Sequence, residues 1–165
     1  MVAIDVAIQI EKGGRDFYRR AAATAEDGGG RVLFAFLADA EAEHLEILKA
    51  YRQSLDRDGR RPSSQGMEEA RQPPVEDGLP LYSRLSLRQD AGAYIPDLLA
   101  LRVGLLIEEA ASAFYDRAAA RSARADDKSL YQKLLNMETE HHRILEEEYN
   151  DLARDFSRVL GFEPF

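Results

Sequence analysis

The sequence predicts an all-α fold: an antiparallel four-helix bundle made of two repeated helical hairpins joined by a long crossover. Alanine, leucine, glutamate and arginine dominate the composition and aromatic residues make up only 8%, a mixture that favours long helices over sheets. Apolar residues recur at helical spacing in four segments, and the last two segments repeat the pattern of the first two. The length of 165 residues suits one domain over 1–165.

The four predicted helices cover residues of about 3–26, 31–54, 96–122 and 127–158. The glycines at 28–30 are expected to break the first pair, and Pro96 suits the first turn of the third helix. Asp126 and Asp127 are placed to cap the fourth helix. Because the break within each pair is short, each pair is expected to form an antiparallel hairpin.

The segment from about residue 57 to 95 is predicted to be a connection, since it holds most of the prolines together with several glycines. Helices of about 25 residues are roughly 37 Å long. A connection of this length spans that distance easily at about 3.3 Å per residue. The segment is therefore expected to cross the length of the bundle, with the third helix antiparallel to the first.

The two hairpins form an internal repeat, which needs no gap when the chain is offset by 97 residues. Such a match predicts two similar structures related by a pseudo-two-fold axis. Equivalent side chains are then expected at the same relative height within each hairpin. The matching blocks are Ile10-Glu11 with Ile107-Glu108, Phe17-Tyr18 with Phe114-Tyr115, and the Glu-x-x-His motifs Glu41–His44 with Glu138–His141.

Four glutamates and two histidines fall on the apolar faces of these helices, where positions three, four and seven apart share one side. Lysine and arginine are missing from those faces, apart from Arg15 on a shoulder of the first. Because buried carboxylates need a proton, a partner or a metal, the pattern predicts two divalent cations held by oxygen and nitrogen. The predicted metal ligands are Glu11, Glu41, His44, Glu108, Glu138 and His141.

A single Glu-x-x-His motif usually lies on a solvated helix face, but two copies, each preceded at equal spacing by Glu-x6-Tyr, favour a metal site. Tyr18 and Tyr115 follow the single glutamates by seven residues. They are expected either to act on the site, through a hydrogen bond or an electron, or to be ordinary core aromatics. His142 falls where the first repeat has Leu45, which indicates a shoulder position rather than a ligand.

Composition excludes several functional classes. The formal charge of -8 disfavours nucleic acid and anionic membranes as partners. The chain has no cysteine, which excludes disulfides, thiol catalysis and sulfur-bound metals. The first residues lack the pattern of a signal peptide and no segment has the length and character of a membrane span, so a cytoplasmic protein is expected.

The segments Glu11–Tyr18 and Glu41–His44, with their second copies, resemble the rubrerythrin-like branch of the ferritin-like di-iron superfamily. The resemblance covers both hairpins and implies a ferritin-like bundle that binds two iron ions, with manganese or zinc as alternatives. The chain departs from full-length rubrerythrins because it has no rubredoxin module, so that electrons would come from an external donor protein. It also has Ala111 and His141 where those proteins carry glutamates.

The resemblance further implies a role for each ligand. Glu41 and Glu138 would bridge the two ions. The remaining ligands form two sets, one for each ion: Glu11 with His44, and Glu108 with His141.

Three functions remain open from the sequence. The first is an oxidoreductase that oxidises ferrous iron with peroxide or dioxygen and so detoxifies peroxide. The second is an iron storage or delivery protein with a ferroxidase site. The third is a non-redox bundle in which a structural metal supports assembly. A homo-oligomer, most simply a dimer, is expected in each case.

Overall fold

A computed structural model of the chain describes residues 3–57 and 94–159. The linker predicted over about 57–95 therefore falls almost entirely outside the described residues, as does the tail from residue 160. Within the described ranges there are four α-helices and no strand, which confirms the all-α bundle, and none of the helices there is both long and apolar enough to cross a membrane. The helices are α1 Ala3–Thr24, α2 Gly28–Arg57, α3 Tyr94–Arg121 and α4 Ala125–Val159.

The turn between α1 and α2 differs from the prediction. Gly28 begins α2, so the three glycines form the first turn of the helix instead of breaking the chain. The carboxylate of Asp27 accepts a hydrogen bond of 2.7 Å from the backbone N–H of Gly30, which is the bond made by an N-cap residue. This cap satisfies a backbone donor at the helix start and compensates for the low helix propensity of glycine.

The start of α4 also differs from the prediction. The helix begins at Ala125, so Asp126 and Asp127 lie inside its first turn and do not precede it as caps. Their negative charges are still favourable there because the N-terminal end of a helix carries partial positive charge. Pro96 lies in the first turn of α3, as predicted.

Contacts between the hairpins show that α3 is antiparallel to α1. Tyr18 of α1 contacts Glu108 of α3, whereas Glu11, earlier in α1, contacts Tyr115, later in α3. The end of α2 and the start of α3 consequently lie at opposite ends of the bundle. This is the arrangement that the crossover prediction requires.

Apolar residues form two clusters, one toward each end of the bundle, with the buried polar residues between them. Tyr18 and Phe34 belong to the first cluster, and Tyr115 and Tyr131 to the second. The two clusters enclose the middle of the bundle and keep it away from solvent.

Asp97 ties the two hairpins together at one end of the bundle. Its buried carboxylate, 3% exposed, accepts hydrogen bonds from the backbone N–H groups of Glu26 at 3.1 Å and Asp27 at 2.8 Å. The first turn of α3 is thereby fixed to the α1–α2 turn.

We expect Asp97→Ala to lower the free energy of unfolding of the metal-free protein by about 2 kcal/mol, because hydrogen bonds to a charged group are lost and two backbone donors lose their acceptor. Urea denaturation followed by circular dichroism measures this change. Asp39→Ala removes an exposed carboxylate from α2 and is the matched control, with an expected change within about 0.5 kcal/mol. Equal effects of the two substitutions would contradict this role of Asp97.

Candidate metal centre

The six residues predicted as metal ligands converge in the middle of the bundle. The inward faces of α1 and α3 each supply one glutamate, and those of α2 and α4 each supply a glutamate and a histidine one turn later. Each is at most 6% exposed. We call Glu11, Glu41, His44, Glu108, Glu138 and His141 the buried cluster.

His44 lies among three carboxylates. Its Nδ1 atom is 3.0 Å from Oε2 of Glu11, 3.0 Å from Oε1 of Glu138 and 3.7 Å from Oε2 of Glu41. The ring is fully buried. One imidazole nitrogen of His44 therefore points at oxygen atoms from α1, α2 and α4.

His141 has the equivalent surroundings on the other side of the cluster. Its Nδ1 atom is 3.4 Å from Oε2 of Glu138, 3.6 Å from Oε1 of Glu41 and 3.9 Å from Oε2 of Glu108. The two imidazole rings stack with their centroids 5.2 Å apart and an interplanar angle of 12°. Ligand atoms of Glu41, His44, Glu138 and His141 all lie within 4.8 Å of one another.

Two tyrosines hold the single glutamates from the opposite hairpin. The hydroxyl of Tyr18 donates to Glu108, and that of Tyr115 donates to Glu11. Burial and the adjacent carboxylate raise the pKa of both phenols well above the usual range, so they remain donors. One of the roles expected for these tyrosines was a hydrogen bond to the site, and the structure shows this bond for both.

Gly14 is a member of the site that sequence reasoning missed. A Cβ atom at this position would lie only 3.3 Å from Cδ of Glu41. The residue at the equivalent position of the second repeat is Ala111, which is also small and buried. The lack of a side chain at Gly14 thus leaves room for the carboxylate of Glu41 on α2, a relation that only the packing of α1 against α2 reveals.

Burial favours the protonated form of two of the four carboxyl groups. Desolvation, reinforced by nearby Glu41, raises the pKa of Glu11 well above its usual value. Desolvation and nearby Glu138 do the same to the pKa of Glu108. Both groups therefore hold a proton more strongly than an exposed carboxyl group does.

The other carboxylates stay ionised and charge the histidines. Burial opposes ionisation of Glu138, but the adjacent side chains of His141, His44 and Glu108 outweigh this and lower its pKa to about 2. The pKa of Glu41 is also lowered, because the adjacent side chains of Glu11 and the histidines outweigh burial. Burial works against the charged form of the histidines, yet the carboxylates raise the pKa of His44 to about 12 and that of His141 to about 9. At neutral pH without metal, Glu41 and Glu138 are therefore carboxylates and both histidines are imidazolium ions.

The donor set fits a pair of divalent cations. Within residues 3–57 and 94–159, the ion pairs of these carboxylates are all with the two histidines, and Arg15 pairs with Asp16 instead. Buried polar atoms rarely lack partners, yet the cluster contains several. These atoms are Nε2 of His44, Oε2 of Glu108, both carboxylate oxygens of Glu138, and Nδ1 of His141. Except for Nε2 of His44, they are the atoms that face the cluster interior and are suited to bind metal.

The two sides of the cluster differ in their distance from solvent. His44 is fully buried, whereas His141 is 6% exposed and lies against the edge of Phe36, with ring centroids 6.5 Å apart. Phe36 is itself 53% exposed. Phe36 of α2 therefore lies between His141 of α4 and solvent. His142, predicted at the shoulder, is half-buried and is not one of the four residues whose ligand atoms group together.

Binding of two divalent ions should release at least two protons at pH 7, because the raised pKa values of His44, about 12, and His141, about 9, leave both imidazoles protonated until a metal displaces the protons. Since these pKa values are raised, metal affinity should fall as the pH is lowered from about 9. Calorimetric zinc titrations in buffers of different ionisation enthalpy measure the release. His142→Gln is the control and should release the same number, whereas no release from either protein would contradict this protonation state.

Phe36→Ala should speed the removal of bound metal by a water-soluble chelator, because it uncovers His141. Val32→Ala shortens another exposed apolar residue, one turn earlier on α2, and should leave the rate unchanged. Stopped-flow absorbance of the chelator measures both rates. An equal rate for wild type and Phe36→Ala would show that metal leaves by another route.

Comparisons with known proteins agree with this geometry. One solved structure, a hypothetical protein from Pyrococcus furiosus, shares the fold with a TM-score of 0.67 at 20% sequence identity, covering 99% of this chain and 91% of that one. A comparison with curated proteins found no match. The sequence profile of the Rubrerythrin family matches residues 3–149, which span both hairpins and the whole buried cluster. The chain therefore belongs to the rubrerythrin family.

Proposed function

We propose that this protein is a di-iron oxidoreductase that oxidises ferrous iron with peroxide or dioxygen and thereby detoxifies peroxide. The observation that supports the proposal is the buried cluster of four carboxyl groups and two imidazoles, whose only ionic partners in the described ranges are one another. Two divalent ions would neutralise four carboxylates in this apolar interior. Oxygen and nitrogen ligands of this kind suit iron and manganese.

The distances support a distinct role for each ligand. Glu41 and Glu138 each approach both histidines, which is the position of ligands shared between two metals. The single glutamates are each near one histidine, Glu11 near His44 and Glu108 near His141. Each metal would accordingly have one histidine, one unshared glutamate and the two shared glutamates.

When bound, two ferrous ions would supply one electron each, enough to reduce one hydrogen peroxide to two waters with the uptake of two protons. The protein contributes the surroundings. The hydroxyls of Tyr18 and Tyr115 hold the unshared glutamates in place. The apolar clusters on either side exclude water, and so strengthen the electrostatic interactions within the cluster.

Repeated turnover requires a source of electrons outside this chain. Cysteine is missing from the sequence, so a thiolate-bound iron module is not part of it. The proposal therefore includes an external electron-donor protein. It also includes a homodimer as the simplest assembly of such a bundle.

The test uses protein purified without air and loaded with ferrous iron. Peroxide should convert ferrous to ferric iron, and repeated peroxide consumption should follow when a chemical electron donor is added. Iron that is oxidised once and then released to a chelator would instead indicate storage or delivery. Equal stabilisation by zinc and iron, without oxidation of the iron, would indicate a structural metal and overturn the proposal.

Glu138→Gln should lower the number of ferrous ions bound, because it removes the charge of a ligand shared by both metal positions. Metal analysis after desalting gives the stoichiometry, and equilibrium titration gives the affinity. Glu140→Gln is the control, since Glu140 is exposed on the same helix and bonds to Arg143. Unchanged iron binding by Glu138→Gln would contradict the shared position of this carboxylate.

A further inference from the structure

A stack of tyrosine rings leads away from one side of the buried cluster. Tyr115, which donates to Glu11, stacks on Tyr131 with ring centroids 6.2 Å apart and an interplanar angle of 23°. Tyr131 is 5% exposed and belongs to the same apolar cluster. The ring of Tyr131 on α4 therefore lies farther from the buried cluster than that of Tyr115, yet remains inside the protein.

A third tyrosine lies near the end of this stack. In the antiparallel register set by Glu41 with His141 and by His44 with Glu138, Tyr51 of α2 is level with Tyr131 of α4. Tyr51 packs against the same apolar cluster as Tyr131 but is only partly buried. Tyr115, Tyr131 and Tyr51 thus lie in order between Glu11, a predicted metal ligand, and the protein surface.

Tyr51 has a proton acceptor in place. Its hydroxyl donates to Oδ1 of Asp127, and Nε of Arg124 lies 3.8 Å from the other carboxylate oxygen. Burial and Asp127 raise the pKa of Tyr51, so the phenol is protonated at neutral pH. A phenol that loses an electron must also lose its proton, and here the carboxylate of Asp127 can take it.

The first repeat has no such path, although its rings pack in the same way. Tyr18 stacks on Phe34 with centroids 6.3 Å apart and an angle of 20°, and Phe34 is the repeat equivalent of Tyr131. The repeat equivalent of Tyr51 is Glu148. Since a phenyl ring fills the equivalent place, packing does not require the oxidisable phenol of Tyr131.

We propose that Tyr115, Tyr131 and Tyr51 form an electron path from the protein surface to the metal centre, used when dioxygen is the oxidant. The inference rests on the proposed function. Dioxygen takes four electrons and four protons to become two waters, and two ferrous ions supply only two of the electrons. The path supplies the other two, one at a time.

In each transfer Tyr51 passes an electron inward through the rings of Tyr131 and Tyr115, and its phenolic proton moves to Asp127. The product is a neutral tyrosyl radical beside a protonated carboxyl group. An external one-electron donor, such as a thiol or a donor protein, then reduces the radical, and the proton returns from Asp127. The remaining protons for water formation come from solvent.

The experiment mixes ferrous-loaded protein with dioxygen, freezes samples on the millisecond scale and records ferrous loss and electron paramagnetic resonance together. Wild type should give a tyrosyl radical. Tyr51→Phe should abolish the surface radical, and Tyr131→Phe should also abolish it because the path then matches the first repeat. Tyr149→Phe, a half-buried tyrosine packed against the other apolar cluster, should leave the signal unchanged.

Ferrous oxidation without a radical, or a radical unaffected by Tyr51→Phe and Tyr131→Phe, would overturn the path but leave the proposed function intact. If ferrous iron is not oxidised, the proposed function fails, and a measurement on the metal-free protein then tests the electron path. There, a flash-generated one-electron oxidant should form the radical at Tyr51, and Asp127→Asn should slow its formation and lower its yield because the proton acceptor is lost. A rate and yield equal to those of wild type would overturn the proposal.

Discussion

Burial of six ionisable groups at one height of the bundle is the constraint on which the rest of the structure depends. A carboxylate removed from water is stable only with a proton, a counter-charge or a metal. The metal-free cluster meets part of this requirement internally, because the carboxylates of Glu41 and Glu138 lie beside the imidazolium ions of His44 and His141. Divalent ions bound among the same groups would supply the positive charge in place of protons.

Each hairpin completes the site of the other. Tyr18 donates to Glu108 and Tyr115 donates to Glu11, so the glutamates of α1 and α3 are each held by a tyrosine of the other hairpin. The antiparallel arrangement of α1 and α3 makes this exchange possible, since it brings the tyrosine of each helix level with the glutamate of the other. Asp97 fixes the same pairing at one end of the bundle.

The departures from symmetry give the two sides different properties. Phe36 covers the less buried histidine, His141, whereas the residue at the equivalent position of the second repeat is Lys133. Tyr131 stands where the first repeat has Phe34, in rings that stack with nearly the same geometry. Duplication explains the common frame of the site, and these few differences distinguish its two sides: an exposed phenyl ring lies beside one histidine, and a tyrosine takes the place of a phenylalanine in one ring stack.

The sequence by itself determined the helical class, the repeat and the inward direction of the ligands, because helical periodicity assigns each residue to a face. The sequence misplaced the start of α2, since the low helix propensity of glycine does not reveal that the Asp27 side chain caps this helix. Only the tertiary structure decided which tyrosine holds which glutamate, that Gly14 lies close beside Glu41, and that Phe36 packs against His141. These are contacts between different helices, and their distances depend on packing that no pattern along one helix contains.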